Sequence, residues 1–129
     1  MTKKDIENRE DVFQLVSSFY DKVRKDQEIG AFFNETIDDW PAHIEKLTDF
    51  WETNLFFESK FRGNPMRAHN QVDDHFDNSI EQKHFGVWLN LWFQTVDELF
   101  EGDRAWIAKN RARNIASNLF MAIYENRQR

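Results

Sequence analysis

The chain has 129 residues and a net charge of −6 at neutral pH, so we expect one domain over residues 1–129 and no nucleic-acid or anionic-membrane partner. It contains no cysteine, which excludes disulfide bonds, thiolate metal sites and thiol nucleophiles. The N-terminal segment has no signal-like apolar stretch, and no segment approaches the roughly 20 continuous apolar residues of a membrane span, so we expect a cytoplasmic protein.

The scarcity of helix breakers predicts long helices, because only 4 Gly and 2 Pro interrupt the chain. The first helix is predicted over 7–26, where apolar residues recur at spacings of three and four: Phe13, Val16, Phe19, Tyr20 and Val23. A helical turn is expected over 28–33. The next helix is predicted from Trp40 to about 57, with Asp38 or Asp39 as its cap.

The second half of the chain continues the helical pattern. Pro65 is expected to open a short helical piece that ends near His69. A long helix is predicted over 81–100, with these residues on its inner face: Phe85, Trp88, Leu89, Trp92, Val96 and Leu99. Gly102 is expected to end that helix, and Asp103 is predicted to cap a last helix that runs to about 126. No segment alternates as a strand does, so the predicted fold class is all-α.

Histidine is the residue type in this chain that can take part in the widest range of reactions and metal sites. The chain has four: His43, His69, His75 and His84. The motifs of zinc proteases, phosphate-binding loops and serine hydrolases are missing. The acidic segment around His75 (VDDHFDNS) lacks the glycine and terminal glutamate of a calcium loop, and we interpret it as solvated. A neutral imidazole such as His69 is a normal axial ligand of haem iron, although a lone histidine more often lies at the surface.

Aromatic residues are unusually dense, with 13 Phe, 5 Trp and 2 Tyr. A flat aromatic cofactor would suit that composition, and a core of large side chains is the alternative. His43 precedes an apolar helix face, which suits either a pocket for a small polar ligand or a partly exposed helix-start histidine. Tyr20 and Trp88 need hydrogen-bond partners if they are buried, and both are also compatible with plain core packing.

Six stretches of the chain, in order, resemble the group III truncated haemoglobins, also called the P family. They are FYDKVRKD at 19–26, GAFFN at 30–34, WPAH at 40–43 with FW at 50–51, NPMRAH at 64–69, FGVWLNLW at 85–92 and RARNIAS at 111–117. A single short motif is weakly specific, whereas six in the same order are specific. Two departures are Trp92, where Phe is usual, and Val72 with Asp73, which replace the common leucine-proline pair.

The resemblance implies a truncated globin-like two-over-two helical sandwich around haem b (iron protoporphyrin IX). It implies that His69 is the proximal iron ligand and that Lys46 reaches a haem propionate. Arg67 is a second propionate candidate by its charge alone. The implied apolar haem contacts are Phe33, Leu47, Phe50, Trp51, Phe85 and Leu89.

The resemblance also implies a polar distal wall of Tyr20, His43 and Trp88 that faces O₂ or another diatomic gas such as NO or CO. Donors aimed at the negative charge on bound O₂ would slow its release, which favours O₂, NO or peroxide redox chemistry over oxygen delivery. NO dioxygenase-like or peroxidase-like activity would need an external reductase, and a monomer is expected. The alternatives are a haem-based sensor, an electron carrier with His43 and His69 both on iron, and a haem-free helical interaction module.

Overall fold

The computed structural model describes residues 3–56 and 82–127, and within those ranges the chain forms helices and no strand. The helices are α1 (Arg9–Lys25), α2 (Gly30–Asn34), α3 (Trp40–Phe56), α4 (Gln82–Leu99) and α5 (Asp103–Arg127). Helix α1 packs on α3 and α4 packs on α5, while contacts between α1 and α4 and between α3 and α5 join the two pairs. This arrangement is a two-over-two sandwich, so the predicted fold class is confirmed. None of these described helices has the length and apolar character needed to cross a bilayer.

Helix α1 begins where a local side-chain cap is available. The Asn8 side-chain oxygen accepts a hydrogen bond from the Asp11 backbone N–H at 2.9 Å, which satisfies a donor that has no partner within the helix. One face of the helix is buried, with Val12, Leu15, Val16, Phe19, Tyr20 and Val23 directed inward. Phe13, which was predicted to belong to this face, is instead 48% exposed because it lies on the other side of the helix. The predicted start at residue 7 was therefore two residues early, because Asn8 is the cap.

One tryptophan connects all four long helices at the centre of the core. Trp92 of α4 is fully buried, and its indole stacks on that of Trp51 in α3 with ring centroids 4.4 Å apart. The ring of Phe19 in α1 meets it edge-on at 5.0 Å. The Trp92 Nε1–H donates to the Ala108 carbonyl of α5 at 3.1 Å. The core therefore lies where these helices cross, and Trp92 sets their spacing.

The start of α5 differs from the prediction. The expected cap, Asp103, is the first residue of the helix, and the capping carboxylate is that of Asp5 near the N-terminus. Asp5 accepts hydrogen bonds at 2.9 Å from the backbone N–H groups of Arg104 and Ala105. Gly102 has a φ of +130° and lies against the Asp5 side chain. The cap comes from about a hundred residues away, so no local sequence signal marks it.

Removal of this cap is expected to destabilise the fold. Asp5→Ala should lower the free energy of unfolding by about 1–2 kcal/mol, because two helix-terminal N–H groups lose their acceptor. Burial acts to raise the pKa of the Asp5 carboxyl, but hydrogen bonds from the backbone N–H groups of Arg104, Ala105 and Ile6 outweigh it and hold the pKa below its ordinary value. Because the folded-state pKa is lowered, the stabilisation is present above the unfolded pKa and is lost as pH falls through the folded one.

Urea unfolding of wild type and Asp5→Ala over a series of decreasing pH values measures this effect. The difference between the two should be largest at neutral pH and should shrink in acid. The matched control is Asp21→Ala, because Asp21 is an exposed aspartate on α1. A difference that is independent of pH, or an equal loss in the control, would contradict the role of the Asp5 carboxylate.

Candidate ligand-binding site

Three helices bring together the three side chains predicted to form a polar wall. Tyr20 of α1 is buried, and its ring lies 5.6 Å from the imidazole of His43 on α3, edge to face. Trp88 of α4 forms a side-chain hydrogen bond with Tyr20. The three positions are 23 and 45 residues apart along the chain, so only the packing of the helices makes them neighbours.

The direction of the hydrogen bond between Tyr20 and Trp88 decides what the tyrosine can do. An indole N–H is a donor only, so Trp88 donates and the Tyr20 oxygen accepts. The hydroxyl proton of Tyr20 is not used in that bond, so it is available to a second acceptor. Burial raises the pKa of Tyr20, and the bond from Trp88 offsets only part of that rise. Tyr20 therefore stays a protonated donor at neutral pH.

Helix α2 is held directly against the end of α1, which places Phe33 beside Tyr20. A Cβ at Gly30 would lie 3.0 Å from the Arg24 carbonyl oxygen, so a larger residue would push the two backbones apart. The Asn34 Nδ2 donates to the same Arg24 carbonyl at 2.9 Å. The ring centroids of Phe33 and Tyr20 are then 5.8 Å apart.

Trp40, at the start of α3, is a member of this cluster that sequence reasoning did not include in the site. Its ring centroid lies 5.7 Å from that of Tyr20 and 5.6 Å from that of His43. Residues three apart share a helix face, so the WPAH stretch already placed Trp40 and His43 on one side of α3. The Nε2 atom of His43 is buried.

The predicted cap of α3 is also settled by the structure. Of the two candidates, the Asp39 carboxylate accepts from the Ala42 backbone N–H at 3.1 Å, and the Asp39 carbonyl accepts from the His43 N–H at 3.0 Å. The first turn of α3 is thus held at both a side-chain and a backbone acceptor. This fixes the backbone from which His43 projects.

The predicted apolar contacts divide into two groups. Four are partly buried and pack against the core: Phe33, Leu47, Phe50 and Leu89. Phe85 is also partly buried, and its ring meets that of Phe120 in α5 at 5.8 Å. Trp51 differs, because it is 4% exposed and stacked on Trp92. Lys46 is exposed on α3. His69 and Arg67 lie outside the described residues, as does the segment around His75.

The described ranges contain no group of three or more His, Cys, Asp or Glu side chains that could hold a metal ion. Within residues 3–56 and 82–127, the side chains best placed to contact a ligand are instead those of Tyr20, His43 and Trp88. The arrangement supplies hydrogen-bond donors beside partly buried apolar side chains. It is suited to binding a small polar ligand next to a large apolar surface.

Comparisons with known proteins agree with this geometry. No family model matches the chain. A group 3 truncated haemoglobin of Campylobacter jejuni is 29% identical over 122 residues, which are 92% of each chain. The crystal structure of a group III truncated haemoglobin from Campylobacter jejuni superposes with a TM-score of 0.83 at 29% identity and covers 97% of this chain and 98% of that one. Sequence and fold together thus confirm the resemblance to the group III truncated haemoglobins, and the chain has the truncated-globin fold.

Proposed function

We propose that this chain is a globin-type haem protein that binds O₂, NO and CO, with residues 1–129 as one domain that acts as a monomer. The observation that carries the proposal is the buried Tyr20 hydroxyl, which accepts from Trp88 and keeps its own proton for a ligand. The Tyr20–Trp88 pair is a neutral hydrogen-bonding unit beside partly buried apolar side chains. It suits a pocket that receives a small ligand with partial negative charge.

The residues present fit haem as the cofactor. Apolar side chains on α2, α3 and α4 are only partly buried, although they pack against the core. A flat apolar group would remove more of their surface from water, which contributes roughly 25 cal/mol per Å². Lys46 and Arg67 are proposed to pair with the propionates, and His69 is proposed as the iron ligand. Trp51, whose ring lies 5.5 Å from that of Phe50 in α3, is proposed as a further residue that would contact haem b.

The iron of haem, when bound, supplies the coordination site for the gas. This chain's residues then decide how long the gas stays. The Tyr20 O–H would donate to a gas held there, and the Trp88 N–H, which bonds to the tyrosine oxygen, would orient that hydroxyl or donate to the gas itself. His43 supplies a further polar edge of the pocket. Each charge-assisted hydrogen bond in a dry pocket contributes roughly 1.5–3 kcal/mol.

Slow gas release favours redox chemistry or detoxification of O₂, NO or peroxide over oxygen delivery. The same donors that hold O₂ can orient it for reaction with NO, or can polarise the O–O bond of a peroxide. Repeated turnover of this NO dioxygenase-like or peroxidase-like kind requires electrons from an external reductase. The proposed enzyme activity therefore includes a protein or small-molecule electron donor.

The visible absorption spectrum of the purified protein tests the proposal. It is recorded in the ferric form, after reduction, and after addition of CO. A Soret band that shifts fully with CO supports an open haem site. No haem band, even after hemin is added, would leave the haem-free interaction module as the better hypothesis. A low-spin spectrum in both redox states would favour the carrier with two histidines on iron.

Substitution of the proposed iron ligand gives a sharper result. His69→Ala should abolish the normal ferrous five-coordinate spectrum, because the imidazole that holds the iron is removed. The matched control is His75→Ala, six residues further along the chain. Addition of free imidazole should restore the spectrum of His69→Ala. If His75→Ala loses the spectrum and His69→Ala keeps it, the ligand is assigned to the wrong histidine.

A further inference from the structure

The rings of Tyr20, His43 and Trp40 form a closed triangle. Each pair of ring centroids is 5.6 to 5.7 Å apart. The Tyr20–His43 and His43–Trp40 pairs are nearly perpendicular, at 85° and 87°. This edge-to-face geometry is one of the favoured arrangements of aromatic rings. The imidazole is therefore held between a tyrosine and a tryptophan.

A guanidinium group holds the tryptophan of this triangle in turn. The Arg24 guanidinium carbon lies 4.4 Å from the centroid of the Trp40 ring, within the range of a cation–π contact. Asn34 fixes the arginine from two sides. Its Oδ1 accepts from Arg24 Nε at 3.4 Å, and its Nδ2 donates to the Arg24 carbonyl. Arg24 and Asn34 are both exposed, so the contact closes the cluster at the surface.

We propose that Trp40, held by Arg24, is a positioning residue that keeps the His43 imidazole against Tyr20 and away from the haem iron. This inference rests on the proposed function. A histidine in a haem pocket has two fates, since its imidazole can face the gas or can bind the iron itself. Binding the iron would close the sixth position to gas. The ring triangle stabilises the orientation in which the imidazole faces the gas.

The energetic argument follows from the contacts that His43 must break to move. If the imidazole leaves the triangle, it gives up its ring contacts with both Tyr20 and Trp40. Loss of one ring contact of ordinary strength changes an equilibrium by roughly two- to tenfold. Removal of Trp40 should therefore raise the ratio of the His43-bound to the open form by that factor. The empty volume left by the indole would also give the imidazole room to rotate.

The test compares haem-loaded wild type and Trp40→Ala by absorption and electron paramagnetic resonance spectroscopy. The ratio of low-spin six-coordinate to five-coordinate haem should rise roughly two- to tenfold in Trp40→Ala. The CO association rate should fall as the open fraction falls. Trp40→Phe keeps a ring at this position, so it should stay near wild type. Arg24→Gln removes the cation, so it should shift the ratio in the same direction by a smaller factor.

Two further variants make the result specific. Trp40→Ala combined with His43→Ala should return the haem to the five-coordinate form, because the competing ligand is gone. Trp106→Ala is the matched control, since Trp106 on α5 is 65% exposed and outside the triangle. An unchanged coordination state in both Trp40→Ala and Arg24→Gln would overturn the inference. So would a low-spin form that persists without His43. A wild-type protein without any haem band would instead overturn the proposed function.

Discussion

Substitution of Tyr20 by phenylalanine should accelerate the dissociation of O₂ from the reduced protein by roughly 10- to 150-fold. This range corresponds to the loss of one charge-assisted hydrogen bond of about 1.5–3 kcal/mol. The hydroxyl is the only group removed, and the ring that packs against Phe19, Phe33, Trp40 and His43 is kept. Stopped-flow displacement of O₂ by excess CO measures the dissociation rate.

The chain provides a closely matched control for this experiment. It has two tyrosines, and the other one, Tyr124, is 52% exposed on α5. Tyr124→Phe should leave the O₂ dissociation rate unchanged. An unchanged rate in Tyr20→Phe as well would remove Tyr20 from the distal wall, and the proposed gas contact would have to come from another donor.

Trp88→Phe and the double variant separate the two roles of the indole. If Trp88 acts only by orienting the Tyr20 hydroxyl, Trp88→Phe will have no effect in the Tyr20→Phe background. If Trp88 also donates to the ligand, the two effects will approach additivity. Because the two side chains are joined by a hydrogen bond, we expect the combined effect to be smaller than the sum.

The second large effect concerns the centre of the core. Trp92→Ala should lower the free energy of unfolding by about 3–5 kcal/mol, as is usual when a buried Phe or Trp is cut back to Ala. Trp92 is fully buried, stacks on Trp51 and donates to the Ala108 carbonyl. The truncation removes the indole that spaces four helices and the side-chain hydrogen bond that it donates to that carbonyl.

Chemical denaturation of the haem-free protein measures this effect without interference from cofactor binding. The Trp106→Ala control should change stability by no more than about 0.5 kcal/mol, since surface substitutions rarely do more. Trp92→Phe should fall between the two because it keeps a ring but loses the N–H donor. Equal stabilities of Trp92→Ala and Trp106→Ala would mean that Trp92 does not set the helix packing.

The sequence predicted the helices well because their signals are local. The period of three and four in α1 places its apolar residues on one face, and burial of Phe19 and Val23 follows directly from that period. Local helix caps could also be predicted from the sequence, since Asp39 accepts from a backbone N–H only three residues later. The cap of α5 could not be predicted, because Asp5 meets Arg104 and Ala105 only after the chain has folded.

In the candidate site, too, the sequence predicted some features and the tertiary structure decided the others. Ordered motifs identified Tyr20, His43 and Trp88 as a set, and the structure places the three together. The motifs could not give the direction of the hydrogen bond between Tyr20 and Trp88, which depends on where α1 and α4 cross. Trp40 was visible as a residue that shares a helix face with His43, yet nothing in the sequence signals that Arg24 would lie over its ring.

By itself, the sequence determined an all-α chain that resembles the group III truncated haemoglobins, and it identified the polar aromatic residues. The spacing of apolar residues, the positions of Gly and Pro and the order of the motifs are all read from the sequence. They therefore require no knowledge of the fold. Only the tertiary structure decided which of these residues touch. Hydrogen bonds, ring contacts and cation–π contacts act over a few ångströms, and the helices that carry them are joined by tens of residues. The cluster of Tyr20, His43 and Trp88 and the Arg24–Trp40 contact therefore exist only once α1, α3 and α4 have packed.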